Sequence, residues 1–197
     1  MDARVHRLQG KAERLIVVSG FSRTGDTDIV HQDELKKLLT DIAAERLALL
    51  QHHEAAARVV SHYDFNNAYQ YVISREETHV QWLQSALAEF GAALPAPSAV
   101  ASAPVAPKSG KKVDATTFRD ILQDDARGLT GFVQKWRAHV STMTHARHRN
   151  MVGVILGESL EHARLFEQAA GGAEDVLGRR TGGVPRVGAV LPTRWME

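Results

Sequence analysis

Apolar residues recur along this chain at intervals of three and four, the spacing that places them on one face of an α-helix. The pattern predicts four long helices, over residues 33–62, 65–90, 116–143 and 146–170. Asp33 and Asp64 are suitable N-caps, and Gly91 and Gly171 are typical of helix ends. Because short turns separate the first helix from the second and the third from the fourth, we expect two antiparallel helical hairpins.

Residues 92–113, between the two predicted hairpins, differ in composition from the rest of the chain. They are rich in Ala, Pro and Ser and lack periodicity, which is typical of a semi-extended linker. The linker is long enough to cross the length of a bundle. The sequence therefore predicts an all-α, antiparallel four-helix bundle over residues 32–170.

The two ends of the chain are predicted to lie outside this bundle. Residues 1–31 form an N-terminal extension, with a short helix expected over residues 11–18. Residues 171–197 form a C-terminal tail that contains glycines, prolines and scattered apolar residues. The tail either folds back on its own domain or docks on a partner or a neighbouring subunit.

The second predicted helix has an acid and a histidine in its apolar row. Glu76 and His79 lie between Val72 and Leu83, and their separation of three residues places them on one helix face. Burying a carboxylate and an imidazole is unfavourable unless another group compensates them. A bound metal ion would do so; the alternative is a Glu and a His that reach solvent or pair with each other.

The first and third helices also place acids where core residues belong. In the first helix Glu45 occupies the apolar row, and Glu54 on the neighbouring stripe is the alternative; we favour Glu45. In the third helix Asp125 interrupts the most apolar stripe of the chain. The alternatives there are a solvated pair with Asp124 or a helix kink near Gly128 and Gly131.

The fourth helix adds a further set of polar residues. Glu158 is three residues from Glu161 and four from His162, so either pair can share one helix face. The separation from Asp125 to Glu158 is similar to that from Glu45 to Glu76. This similarity predicts that the acids of the two hairpins lie at equivalent depth in the bundle.

Composition limits the chemistry that these residues can perform. The chain has 197 residues, a formal net charge of +1 and no cysteine. The lack of cysteine excludes disulfides, thiolate catalysis, Cys-ligated zinc and iron–sulfur centres, and leaves oxygen and imidazole ligands that suit iron, manganese or zinc. Neither a strongly basic nucleic-acid surface, a membrane span nor a signal peptide is indicated, so we expect a soluble, cytoplasmic protein.

Two stretches of the chain resemble the ferritin-like superfamily, and within it the rubrerythrin and bacterioferritin type. They are residues 76–83 (Glu-Glu-Thr-His-Val-Gln-Trp-Leu) and residues 157–166 (Gly-Glu-Ser-Leu-Glu-His-Ala-Arg-Leu-Phe). Di-metal members of this superfamily place a Glu on the first helix, Glu-x-x-His on the second, an acid on the third and Glu-x-x-His on the fourth. The resemblance implies a site for two iron ions, or for manganese or a mixed pair, with Glu161 as the alternative to His162 in the ligand set Glu45, Glu76, His79, Asp125, Glu158 and His162.

The chain departs from the family pattern in three places. The third helix offers Asp rather than Glu, and the fourth helix reads Glu-x-x-Glu-His. On the first helix His52 stands where the family commonly has a tyrosine near the metals. The lack of cysteine also excludes the rubredoxin-like electron-transfer domain of full rubrerythrins.

The resemblance implies redox chemistry with oxygen or peroxide, such as ferroxidase activity or peroxide reduction. The expected partners are oxygen, peroxide or ferrous iron and an external electron donor, a homodimer is compatible with this function, and no nucleic acid or membrane is expected. The alternative is a non-catalytic helical bundle that binds a protein partner and has a degraded metal site. In that case the carboxylates should be splayed apart or paired with Arg, although Arg46, Arg75 and Arg127 are expected to face solvent.

Overall fold

A computed structural model describes residues 24–98, 115–173 and 175–178 of the chain. In chain order this part consists of α1 (Thr24–Val59), α2 (Tyr63–Ala88), a short 3₁₀ helix (Ala115–Phe118), α3 (Arg119–Thr142) and α4 (Ala146–Ala170). No strand occurs among these residues, which confirms the prediction of an all-α protein with four long helices. No helix in the described ranges combines the length and apolar character needed to cross a membrane.

The observed helix bounds agree closely with the periodicity except at the start of α1. Helix α4 has the predicted bounds, and α2 and α3 differ from prediction by a few residues. Helix α1 begins at Thr24 rather than at Asp33, because residues 24–32 continue the helix without an apolar row that would reveal it. The helix predicted over residues 11–18 and most of the linker lie outside the described residues.

The buried apolar side chains form two groups at different levels of the bundle. The group nearer the turn between α3 and α4 includes Leu39, Ile42, Leu83, Trp136 and Ile155. The group nearer the turn between α1 and α2 includes Val60, Phe65, Leu122, Leu129 and Phe166. Each fully buried large side chain of this kind stabilises the fold by roughly 1.5–3 kcal/mol. Residues 46–53, 76–79 and 159–162 lie between the two groups along their helices, so the polar residues of these segments share one level.

The helices do not all pack together equally. Contacts are most extensive between α1 and α2 and between α3 and α4, and they are sparser between α1 and α3 and between α2 and α4. After α2 the chain returns along α1, where the backbone N of Ser98 donates to the carbonyl oxygen of Ala44 at 2.9 Å. The sparse packing of α1 on α3 leaves a groove between these two helices.

Gly131, in the interior of α3, provides a test of the described packing. A Cβ added there would meet no atom within 4 Å, and Ala is favoured over Gly inside a helix by roughly 0.5–1 kcal/mol. We therefore expect Gly131→Ala to raise the free energy of unfolding, measured by urea denaturation, by about that amount. As a control, Gly91→Ala should lower it, because Gly91 has φ +64°. Destabilisation by Gly131→Ala would contradict the open environment described for this position.

Candidate functional site

Polar side chains from all four helices lie between the two apolar groups or, for Tyr69 and Asp125, within the second of them. Most of them are buried, and we call this set the central polar layer: Arg46, His52, His53, Tyr69, Glu76, His79, Asp125, Glu158, Ser159 and His162. It contains five of the predicted metal ligands, namely Glu76, His79, Asp125, Glu158 and His162. Glu76, His79, Glu158 and His162 lie between the two apolar groups, whereas Asp125 lies on α3 among Leu122, Ala126 and Leu129 of the second group.

Arg46 from α1 lies at the centre of the layer and is fully buried. Its Nη1 donates to Glu76 Oε1 at 2.7 Å, and its Nη2 donates to the Ser159 hydroxyl. The Ser159 hydroxyl in turn donates to the Ile155 carbonyl oxygen at 2.6 Å, so it is oriented to accept from the arginine. The guanidinium carbon lies 4.3 Å from the centroid of the Phe132 ring. One cation thus links α1 to α2 and α4 and rests on a ring from α3.

Glu76 from α2 is the carboxylate that balances this cation. Its Oε2 lies 2.8 Å from His53 Nδ1, so both oxygens have a hydrogen-bond partner. Burial raises the pKa of Glu76, but His53, Arg46 and His162 outweigh burial and hold the pKa below its ordinary value. Glu76 is therefore ionised at neutral pH although no part of it is exposed.

Asp125 from α3 forms a second centre within the layer. The Tyr69 hydroxyl donates to Asp125 Oδ2, and His52 Nε2 lies 2.9 Å from Oδ1. His53 Nε2 is 3.9 Å from the same oxygen. Burial and the negative charge of Asp125 raise the pKa of Tyr69, so the tyrosine keeps its proton and acts as the donor.

Glu158 from α4 lies at the edge of the layer, where it is paired with Arg75 and His79. Arg75 donates to its two oxygens at 2.7 and 3.0 Å, the two-pronged geometry that makes such pairs strong. His79 Nε2 lies 2.9 Å from Glu158 Oε2. Hydrogen bonds from Arg75 lower the pKa of Glu158, burial opposes this, and His79 lowers it further. The expectation that Arg75 faces solvent is thus wrong, because its guanidinium contacts this carboxylate.

The imidazoles of His79 and His162 stack inside the layer. Their ring centroids are 6.3 Å apart and their planes differ by 22°. Burial lowers the pKa of each histidine to about 4, so both are neutral at pH 7. The Nδ1 atoms of both rings are buried without a hydrogen-bond partner among the described residues. Buried polar atoms of this kind commonly bind an ordered water or a small ligand.

The two remaining predicted ligands lie away from the central polar layer. Glu45 accepts from Lys135 Nζ and, at 3.0 Å, from Trp136 Nε1, both on α3. Glu161 is exposed and pairs with Arg164 on the surface of α4. Glu54, the alternative to Glu45, contacts Arg58 at 3.8 Å instead.

The structure adds four buried residues that the sequence analysis did not assign to the site: Arg46, His53, Tyr69 and Ser159. Arg46 and His53 point to the interior from α1, where Glu45 was expected to do so. On α4 the residue that points to the interior is Ser159, the neighbour of Glu158. The expectation that Arg46 faces solvent is therefore wrong, whereas Arg127 is exposed and pairs with Asp124. The signal for Arg46 and His53 was their spacing, which continues the row from Leu39 towards Val60.

As placed, these residues do not fit a pair of metal ions. In the described ranges no three His, Asp or Glu side chains are grouped so that they could hold even one metal ion. A guanidinium contacts Glu76 at the centre, and Asp125 and Glu158 are held by separate partners. The inward motif of α4 is Ser159-x-x-His162, in which a hydroxyl replaces one carboxylate.

Comparison with protein-family models, with curated proteins and with solved structures finds no significant match to this chain. The ferritin-like resemblance therefore stays a prediction that rests on the sequence motifs. A proposal about the function of this chain therefore depends on the geometry of the central polar layer.

The pair between Arg46 and Glu76 predicts a large effect of substitution. Arg46→Met removes the cation and leaves a buried carboxylate uncompensated, which typically costs about 3–5 kcal/mol. We expect a loss of stability of this size in urea denaturation followed by circular dichroism. Arg46→Met combined with Glu76→Met should recover part of the loss, because neither charge then remains buried. The exposed Arg58→Met is the control and should change stability by less than about 0.5 kcal/mol.

The lowered pKa values of His79 and His162 predict that stability falls in mild acid. Their pKa is about 4 in the folded chain and about 6.5 in the unfolded chain, so the unfolded state binds more protons between these values. The contribution of the two neutral histidines to the free energy of unfolding is complete above pH 6.5 and is lost as the pH falls towards 4. At pH 5 the loss is on the order of 2 kcal/mol per histidine.

Urea denaturation at pH 7 and at pH 5 measures this loss. His79→Gln or His162→Gln should reduce the difference between the two pH values, and the exposed His139→Gln should leave it unchanged. Equal pH dependence in all four proteins would show that the two buried imidazoles are not held neutral.

Proposed function

We propose that this chain is a ferritin-like helical bundle that acts as a non-enzymatic binding protein. The observation that carries the proposal is the fully buried Arg46, which donates to Glu76 and Ser159 at the centre of the bundle. In this proposal the guanidinium provides the positive charge that metal ions provide in di-metal members of the superfamily. The pairing of Arg46 with Glu76 is the arrangement expected of a metal-free bundle, in which carboxylates pair with Arg.

Electrostatics supports a guanidinium in place of a metal at this position. A metal ion bound to Glu76 would lie a few ångströms from the Arg46 charge, and two cations repel strongly in a buried site. Among the described residues, the carboxylate to which Arg46 donates is that of Glu76. Glu158, which the family pattern would use as a second one, is neutralised by Arg75.

The packing of the helices supports the ferritin-like topology within this proposal. In this proposal α1 and α2 form one hairpin and α3 and α4 the other, which agrees with the extensive contacts within each of these two pairs. The contact of Ser98 with Ala44 is consistent with a linker that starts to run back along α1. Equivalent acids then lie at one depth because the two hairpins pack side by side.

A di-metal redox protein is the second candidate function. It is favoured by one observation, the approach of Glu158 and His162 to His79 within the layer, with both imidazoles neutral and hence able to act as ligands. Its substrates would be oxygen, peroxide or ferrous iron. This function requires Arg46 to leave the centre, and so it predicts a different arrangement of α1 in the loaded protein.

Metal content decides between the two candidates. The full chain is expressed in iron-replete medium, incubated with ferrous iron without oxygen, desalted and analysed for iron, manganese and zinc. We expect no stoichiometric metal, because Arg46 already neutralises Glu76. Stoichiometric iron in the wild-type chain that is lost in Glu76→Ala would overturn the proposal in favour of the di-metal protein.

A variant designed to gain metal binding also tests the proposal that Arg46 takes the place of a metal ion. Arg46→Glu combined with Ser159→Glu replaces the cation and the hydroxyl by two carboxylates that face Glu76. Since the three carboxylates at positions 46, 76 and 159 would then lie near the imidazoles of His53, His79 and His162, we expect this variant to bind iron or manganese that the wild-type chain does not. Circular dichroism before and after metal addition shows whether the variant is folded.

A further inference from the structure

A second groove, with a volume of about 580 Å³, is lined only by residues of α3 and α4. Val133 and Val140 from α3 and Leu156 and Leu160 from α4 form its apolar part, and no acidic side chain of the described residues lines it. Val154 of α4 also lines the groove and is 47% exposed. Exposed apolar surface of this kind is typical of a contact with another protein.

Two glycines keep the α4 side of this groove open. Gly153 and Gly157 lie four residues apart on one face of the helix, and both are exposed. A Cβ added at either position would meet no atom within 4 Å, so packing among the described residues requires neither glycine. Glycine inside a helix is less favourable than alanine. The space that the two glycines leave allows another backbone to approach α4 closely.

The charges of α4 are arranged symmetrically about the two glycines. Arg149 lies four residues before Gly153, and Glu161 lies four residues after Gly157. Residues at this interval form one ridge on a helix surface, and such ridges pack beside one another when two helices cross at about −50°. The ridge therefore has a cation at one end, a carboxylate at the other end and no side chain in the middle.

A second copy of the chain, related to the first by a two-fold axis, fits this ridge. When the axis passes midway between Gly153 and Gly157, Gly153 of each copy lies opposite Gly157 of the other copy. Arg149 of each copy then lies level with Glu161 of the other. A two-fold interface requires a surface that complements itself, and this ridge does so in both shape and charge.

Both charged groups are accessible for such a contact. Arg149 is exposed and donates to the Met143 carbonyl oxygen at 3.1 Å, and Glu161 is exposed and pairs with Arg164. Exposed contacts of this kind contribute little stability, and they leave further donors on the guanidinium and further lone pairs on the carboxylate. Glu161 can therefore accept from Arg164 of its own chain and from Arg149 of a second copy.

We propose that this face of α3 and α4, with the ridge from Arg149 to Glu161 at its centre, is the contact surface of a homodimer. The apolar groove and Val154 would be covered in the dimer, and the glycines would allow the two α4 helices to cross closely. A face of two helices is smaller than a standard protein interface, so we expect a dissociation constant in the micromolar range. The face lies outside the central polar layer, so this inference goes beyond the proposed function and does not depend on it.

Sedimentation equilibrium of the full chain measures the monomer–dimer equilibrium and tests the charge pairing. We expect Arg149→Glu or Glu161→Arg to weaken the wild-type dimer at least tenfold, because each substitution places like charges opposite each other. The two substitutions combined should restore the dimer, because opposite charges then face each other again. Arg58→Glu, a charge reversal at an exposed position of α1, is the control and should have no effect.

Three results would overturn the inference. The first is a wild-type chain that stays monomeric up to about 500 μM, well above the expected dissociation constant. The second is a dimer that neither single charge reversal weakens, which would place the interface elsewhere. The third is a double variant that dimerises no better than the single variants, since the two charges would then not face each other.

Leucine substitutions test the glycines without altering a charge. Gly157→Leu fills the space at the crossing point and should weaken the dimer at least tenfold. Gly131→Leu places the same side chain in an open environment on α3, outside the groove lining, and should leave the dimer unchanged. Circular dichroism shows whether both variants keep their helices. Equal dimerisation of the two variants would contradict the proposed crossing point.

The lack of cysteine allows a direct test of the two-fold register. Chains with Gly153→Cys are mixed with chains carrying Gly157→Cys, oxidised and analysed by mass spectrometry. We expect a disulfide between the two different chains, because the proposed axis brings these positions within the roughly 7 Å that a disulfide can span. Chains with Gly131→Cys are the control. A 153–157 disulfide that forms no more readily than one between control chains would overturn the register, whereas the metal analysis would be unaffected.

Discussion

The ion pair between Arg46 and Glu76 is the interaction on which the arrangement of this bundle depends. Removing a guanidinium and a carboxylate from water costs several kcal/mol per ion, and the attraction between them repays this only when their other polar atoms are also satisfied. Ser159, His53 and the ring of Phe132 supply those contacts. The pair also restricts the helices. A displacement of α1 by one turn relative to α2 and α4 would leave both charges buried and unpaired, so the central polar layer fixes the register that two apolar groups alone would leave less defined.

The same layer borders the open groove on one side of the bundle. Helices α1 and α3 pack less closely than the helices within each pair, and His52 and Asp125 of the layer line the groove between them. A layer filled with leucine would border the groove with apolar side chains in place of a carboxylate and an imidazole.

Much of the fold could be predicted from the sequence, because helical periodicity persists over each of the four helices and ends at clear signals such as Gly171. Glu76, His79 and Asp125 could be assigned to the interior because they interrupt apolar rows. Arg46 and Ser159 could not, because each adjoins an acid and successive helix residues differ in direction by only about 100°. Whether Glu45 or Arg46 faces inward depends on how α1 is rotated against α2 and α4, and this depends on contacts with distant residues that local periodicity does not contain.

The contact of Arg46 with both Glu76 and Ser159 has a consequence for the order in which such a layer could evolve. An acid at position 159 would accept a hydrogen bond from Arg46 as it stands, so after that change alone both carboxylates would still contact a cation. An acid at position 46 introduced first would leave Glu76 beside another carboxylate with no cation, and such a chain would lose stability before it gained a metal. A change towards more carboxylates in this layer is therefore less unfavourable at position 159 than at position 46. Sequences intermediate between a metal-free and a metal-binding layer should carry Arg46 together with an acid at position 159.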